Sequence, residues 1–113
     1  MPTTPVIVSI VKDPALSRAL AFALRAYGYE VATFRSWKLA EQTVRKATCV
    51  ILDSCLPDPD REACLASLGA QIPVLFLAEN EMVNIERPCV QVLYKPLTGP
   101  DIVTALMTIR KNP

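Results

Sequence analysis

Four charged side chains stand where apolar runs stop: Lys12 and Asp13 after the run from Pro5 to Val11, Asp53 after Cys49-Val50-Ile51-Leu52, and Lys95 after Val90 to Tyr94. A fifth, Glu79, follows Val74-Leu75-Phe76-Leu77 with only Ala78 between. If those runs are parallel strands of one sheet, the five residues meet beyond the strands' carboxyl ends, where open α/β sheets bind their ligands. Lys12, Asp13, Asp53 and Lys95 carry no net charge between them. Opposite charges about 4 Å apart attract by about 4 kcal/mol at an effective dielectric of roughly 20, so Lys12 is expected to hold Asp53 as an ion pair without any metal.

The elements that must position these residues follow from the alternation of strand-length apolar runs with segments of helical period, the signature of βα units around a parallel sheet. Asp13 and Pro14 read as N-cap and first residue of a helix carrying Leu16, Leu20, Leu24 and Tyr27, ended by Gly28. Tyr29 to Thr33 is the expected second strand, and Ser36 caps a weaker helix with Leu39, Ala40 and Val44 on one face. A third helix is expected from cap Asp58 and Pro59 to Gly69, with Ala63, Leu65 and Leu68 inward. The stretch from Ala78 to Cys89 is short for a parallel crossover and contains Pro88, so its helix must be stunted or absent. The last helix starts at Thr98 or Gly99 before Pro100 and turns Ile102, Val103, Leu106 and Ile109 inward.

Three motifs resemble the receiver domain of two-component response regulators, and the likeness runs through essentially the whole chain. Val50-Ile51-Leu52-Asp53-Ser54-Cys55-Leu56-Pro57-Asp58 is similar to that family's third strand, phosphoacceptor aspartate and following loop; Tyr94-Lys95-Pro96 resembles its lysine and cis-prone proline; Gly28-Tyr29-Glu30-Val31 resembles the approach to its second strand. The resemblance implies one domain over residues 1–113, a flavodoxin-like five-stranded parallel sheet in the order 2-1-3-4-5, and helices on both faces, the fourth short or missing. It also implies that Asp53 accepts a phosphoryl group from a histidine kinase as a carboxylate nucleophile, that Lys95 binds a phosphoryl oxygen, and that a divalent cation bridges them.

This chain departs from the family pattern at four places. Where the family has two adjacent acids after the first strand, Val11-Lys12-Asp13-Pro14 stands here. Counting from the strand puts Lys12 and Asp13 on the acid pair, and counting back from Pro14 puts Val11 and Lys12 there. Either way a lysine enters the pocket, and Asp13 and Asp53 are poor candidates for holding Mg²⁺. Ala78 replaces the switch hydroxyl, Val92 replaces the aromatic switch residue, and Glu79 replaces a small residue, so that it obstructs the phosphodonor or pairs with Lys12 or Lys95. The expectation is an impaired phosphoacceptor in a regulatory protein-interaction module, not an enzyme, with no cofactor. A working Asp53 acceptor, which would use Mg²⁺, is the alternative.

Twelve basic and eleven acidic residues leave a charge of +1, which predicts no direct nucleic-acid contact. No run approaches the roughly 20 apolar residues that span a bilayer, so a cytoplasmic protein without a membrane contact is expected. Cys49, Cys55, Cys64 and Cys89 form no CxxC pair and the chain has no histidine, which predicts free thiols. A flavin carrier or enzyme on the same fold is disfavoured because the loop after the first strand lacks a Gly, Ser or Thr cluster for a phosphate. The expected partners are a signalling protein or the chain's own output domain. A shortened fourth helix would expose Val92, Val103 and Met107, predicting a homodimer or partner contact through the fifth strand and last helix. The chain ends at Arg110-Lys111-Asn112-Pro113, which suits a natural terminus and equally a junction to such an output domain.

Overall fold

The computed structural model describes residues 6–79, 82–83, 85 and 87–111. Pro5, named above as a strand start, and part of the 78–89 crossover lie outside them. Five strands, β1 (Val6–Ile10), β2 (Glu30–Phe34), β3 (Cys49–Asp53), β4 (Val74–Ala78) and β5 (Val90–Tyr94), form one parallel sheet in the order β2-β1-β3-β4-β5. The helices are α1 (Pro14–Ala26), α2 (Trp37–Ala40), α3 (Asp58–Ser67) and α4 (Gly99–Lys111), with a 3₁₀ turn at Thr43–Lys46.

Local chemistry explains the sharpest boundaries. The Asp13 carboxylate accepts from the Ala15 N–H at 3.0 Å and Pro14 opens α1, while Gly28, at φ +89°, closes it. There the Gly28 N–H donates to Arg25 O and the Tyr29 N–H to Leu24 O, the paired bonds of a Schellman motif. At α4 the Thr98 hydroxyl accepts from the Asp101 N–H, and the Asp101 carboxylate accepts from the Thr98 N–H at 2.9 Å, a reciprocal capping box. Gly99 is required by packing: a Cβ built there would meet the Ala23 Cβ of α1 at 2.5 Å.

Two apolar layers cover the sheet. On one face Leu20, Ala21 and Leu24 of α1 and Ile102, Val103, Leu106 and Ile109 of α4 pack on Ile7, Val11, Ile51, Leu75 and Leu77. On the other, Trp37, Ala40, Val44, Leu56 and Cys64 pack on Val8, Ile10, Val50, Leu52, Val74 and Phe76. All five residues of β3 and of β4 are buried, as strands covered on both sides must be.

Several expected details change. β2 begins at Glu30, one residue late, and β4 runs on to Ala78. Tyr27 is exposed, because the helix stops before it. The segment after Ser36 makes a single turn, and its inward spacing is Trp37, Ala40, Val44, so Leu39 faces solvent. Asp58 lies in the first turn of α3 behind the N-cap Pro57, and Leu68 rather than Gly69 is the C-cap; Cys64 is the buried residue, flanked by partly buried Ala63, Leu65 and Leu68. Burial pushes the Cys64 thiol up to about 11. No disulfide joins any of the four cysteines.

No helix lies between β4 and β5 among the described residues. Val83 and Ile85 pack on the α2/α3 face in its place, and the Arg87 guanidinium ties the return to the domain by donating to Ile72 O at 3.1 Å and to Gly69 O at 2.6 Å. β5 is consequently a half-buried edge strand. The expected exposure there is corrected in one respect: Val103 is buried on the inner face of α4, whereas Val92 is half-buried and Met107 exposed. Among the described residues no helix is long and apolar enough to cross a membrane.

Candidate functional site

The carboxyl ends of β1, β3, β4 and β5 meet at Asp53. Register places Asp53 opposite Leu77 and Ala78 opposite Tyr94, and the Lys95 N–H continues the ladder to Ala78 O at 2.8 Å. The first residue past β5 thereby reaches the last residue of β3. Lys95 Nζ donates to Asp53 Oδ1 at 2.8 Å, and the Cys55 N–H donates to the same oxygen at 3.2 Å. The Asp53 side chain is 1% exposed, and its Oδ2 is buried without a hydrogen-bond partner among the described residues. The Lys95–Pro96 peptide is cis.

A second layer closes over this pair. The Cys55 thiol donates to Glu79 Oε1 at 3.3 Å, that oxygen lies 3.9 Å from Lys95 Nζ, and Lys95 Nζ is 3.7 Å from Cys55 Sγ. The hydrogen bond to Glu79 is the main reason the thiol of Cys55 is held above its ordinary range; burial and the Asp53 charge add to it, and Lys95 opposes them. For Lys95, burial works against the ammonium, but the hydrogen bond and charge of Asp53, helped by Cys55 and Glu79, outweigh it and raise the pKa.

Lys12 is not part of the cluster. The ion-pair partner of Asp53 is Lys95, while Lys12 is exposed and makes no ion pair among the described residues. Strand geometry gives the reason. One step beyond the Ile10–Leu52 pair brings Val11 level with Asp53; Val11 is fully buried in the α1/α4 layer with Ile51, and strand alternation puts Asp53 on that same side. An isopropyl group therefore occupies the level of the carboxylate, and Lys12, the next residue, turns away. Asp13 is spent on the α1 cap. The structure thus decides between the two alignments in favour of the one counted back from Pro14.

These residues do not fit a divalent cation. Mg²⁺ takes near-octahedral oxygen ligands and Ca²⁺ takes six to eight. Among the described residues no group of three His, Cys, Asp or Glu side chains is placed to hold a metal ion, and the one inward carboxylate, Asp53, already carries an ammonium on Oδ1. Ala78 is fully buried and offers no hydroxyl beside Asp53. Val92 pairs with Phe76 in the α2/α3 layer, and Tyr94, two residues on, is half-exposed.

Val11 stood as one of two alternatives in the sequence, and it had a signal, since a side chain committed to an N-cap, as Asp13-Pro14 announces, is unavailable to a site. Cys55 had none, because its partner Glu79 lies 24 positions away and only the sheet brings them together.

Comparison with known proteins agrees with this geometry. No protein-family model matches the sequence. The receiver domain of a LuxO-type repressor from Vibrio parahaemolyticus superposes with a TM-score of 0.82 at 18% identity, covering 96% of this chain and 92% of that one. A response regulator receiver protein from Sinorhizobium medicae WSM419 gives 0.82 at 18% identity, with 96% of each chain covered. The chain has the response-regulator receiver fold. In sequence, the chain is 26% identical over 104 residues to the transcriptional regulator protein FixT of Rhizobium meliloti (strain 1021), covering 91% of the chain and 90% of that protein. Within this fold the chain carries Asp53 at the end of β3 bonded to Lys95 after β5, and no helix lies between β4 and β5 among the described residues.

Proposed function

We propose that this receiver domain is a cytoplasmic regulatory interaction module whose phosphoacceptor site is held shut, not an enzyme and not a domain switched by phosphorylation in the usual way. One observation carries the reading: Asp53 is 1% exposed, with Oδ1 bonded to Lys95 and no set of oxygen ligands around it for a cation. Phosphoryl transfer depends on positioning and charge neutralisation. Here the charge of Asp53 is already neutralised by Lys95, Val11 stands at its level, and Cys55 and Glu79 lie over the approach. Without a hydroxyl at Ala78 or an aromatic ring at Val92, a phosphoryl group would also have nothing to move.

The test is incubation with acetyl phosphate, or with beryllofluoride, in the presence of Mg²⁺. The proposal expects no adduct by intact mass and no change in the melting temperature. A stoichiometric adduct on Asp53 with a conformational change would refute it. The competing reading, a slow but working acceptor, draws support from the 2.8 Å Lys95–Asp53 contact, a geometry that transfer would also use, and predicts stabilisation by Mg²⁺ alone. As partner we propose a signalling protein or an attached output domain that contacts the β5/α4 side, where Tyr94 and Met107 are exposed. Burial of Val103 removes one expected anchor for homodimerisation there.

A further inference from the structure

Charge is unevenly divided along this chain. Residues 6–48 contain seven Lys and Arg against three Asp and Glu, whereas the described residues between 49 and 101 contain three against six. The strand order converts that sequence asymmetry into a spatial one: the first segment builds the β2 edge with α1 and α2, and the second builds β3, α3, β4 and β5. A net charge of only +1 therefore conceals two oppositely charged ends.

The positive end holds a groove of about 500 Å³ between α1 and the outer strand β2, lined by Ser17, Arg18, Ala21, Phe22, Arg25 and Thr33 among others. Its rim is a stripe at helical spacing, Arg18, Phe22 and Arg25, in which a ring 79% exposed sits between two guanidinium groups. Arg25 is anchored by donating to Val31 O at 3.0 Å, and Arg18 makes no ion pair among the described residues. At the negative end, α3 turns Asp58, Glu62 and Ala66 to solvent; Asp58 pairs with Arg61 of its own helix, so Glu62 is the carboxylate of this stripe without an ion pair among the described residues, and Ala66 permits close approach. The two surfaces cannot meet within one molecule. α1 packs in the α4 layer and α3 in the α2 layer, on opposite faces of the sheet.

We propose that the α1/β2 groove receives the acidic outer face of α3 from a second copy of this chain, so that Glu62 meets Arg18 and Arg25 around Phe22. Charge complementarity selects this occupant, because the chain carries both halves of the match. The two contacting surfaces differ, so the contact is head-to-tail, does not close on a dimer, and propagates with concentration. Association resting on exposed charges is screened by salt, whose Debye length falls from about 30 Å at 0.01 M to about 3 Å at 1 M. The contact is independent of Asp53 and of the β5/α4 side.

Sedimentation velocity over a concentration series tests it. The weight-average mass is expected to climb past that of a dimer at low salt and to return to the monomer value in molar salt. Arg18→Glu and Glu62→Lys, both on exposed positions and checked by unchanged melting curves, are each expected to abolish the climb, and an equal mixture of the two variants is expected to restore it. Phe22→Ser is expected to weaken it in the unsubstituted background. A monomer at every concentration in low salt overturns the proposal. So does association that ignores salt, that survives Arg18→Glu, or that is lost on Tyr94→Ser instead, which would assign self-association to the β5/α4 side.

Discussion

The two halves of the pocket have diverged. On the β3/β5 half, Asp53 and Lys95 retain a 2.8 Å ion pair delivered by strand register; on the β1/β4 half, Val11 and Ala78 are both fully buried apolar groups. The first half is costly to keep. A buried carboxylate needs its counter-charge, and removing one partner of such a pair leaves the other stranded. The second half, stripped of acid and hydroxyl, has become an extension of the core and stabilises by ordinary burial. The central ion pair is thus required by the fold once Asp53 is buried, whatever its role in signalling.

Reversing the filled half gives the largest expected effect. Val11→Asp places a second buried carboxylate beside Asp53, which should cost about 4 kcal/mol or more in urea unfolding without metal, since charges buried without a partner are expensive. Most of that loss should return with Mg²⁺, seen as a rise in melting temperature absent from the unsubstituted protein; no recovery would mean that Val11 does not stand at the cation position. Breaking the retained half comes next. Lys95→Met should cost about 3 kcal/mol, the lower end for a buried pair because Lys95 is 19% exposed, and adding Asp53→Asn should recover much of it. Additive losses in that double-mutant cycle would contradict a coupled pair. Gly99→Ala serves as a control remote from both halves: its Cβ would meet Ala23 at 2.5 Å, so a loss of about 1–3 kcal/mol is expected with no change in Mg²⁺ response.

The smallest effects concern titration. The folded-state pKa of Lys95 is raised above its ordinary value, so its contribution to stability is complete below that ordinary value, near pH 10.5, and is lost as pH rises through the folded value. Unfolding curves followed into the alkaline range should therefore converge for the unsubstituted protein and Lys95→Met. Asp101 behaves oppositely: hydrogen bonds from the Thr98 backbone and hydroxyl lower its pKa, so its contribution is present above the ordinary value near 3.8 and disappears on acidification. At the site's outer layer, Glu79→Gln removes the main cause of the raised Cys55 pKa, and alkylation of Cys55 at mildly alkaline pH should accelerate.

Much of this was legible before the structure. The continuous apolar runs marked the buried strands; Asp13-Pro14 and Gly28 marked both ends of α1; Thr98 and Pro100 marked the start of α4. Those signals are local, because caps and turns are satisfied by atoms a few residues apart. The shortened crossover was legible too, since residues 79–89 contain Pro88 and are few for a parallel return. The misreadings occurred where spacing alone is ambiguous. Leu39 and Trp37 are both apolar, and only the position of the sheet decided which faced inward; Val103 was expected at the surface because the lost helix and α4 were assigned to one side, whereas α4 packs with α1.

By itself, then, the sequence determined the strands, most caps, and the placing of Asp53 and Lys95 at the carboxyl ends of β3 and β5. Tertiary structure decided which ammonium neutralises Asp53, that Val11 rather than Asp13 stands beside it, and that Cys55 and Glu79 close over the top. The reason is register. A parallel sheet brings together residues 42 and 24 positions apart, and a one-residue shift along β1 exchanges valine for lysine at the same level, a choice fixed by hydrogen bonds between strands and invisible in their order.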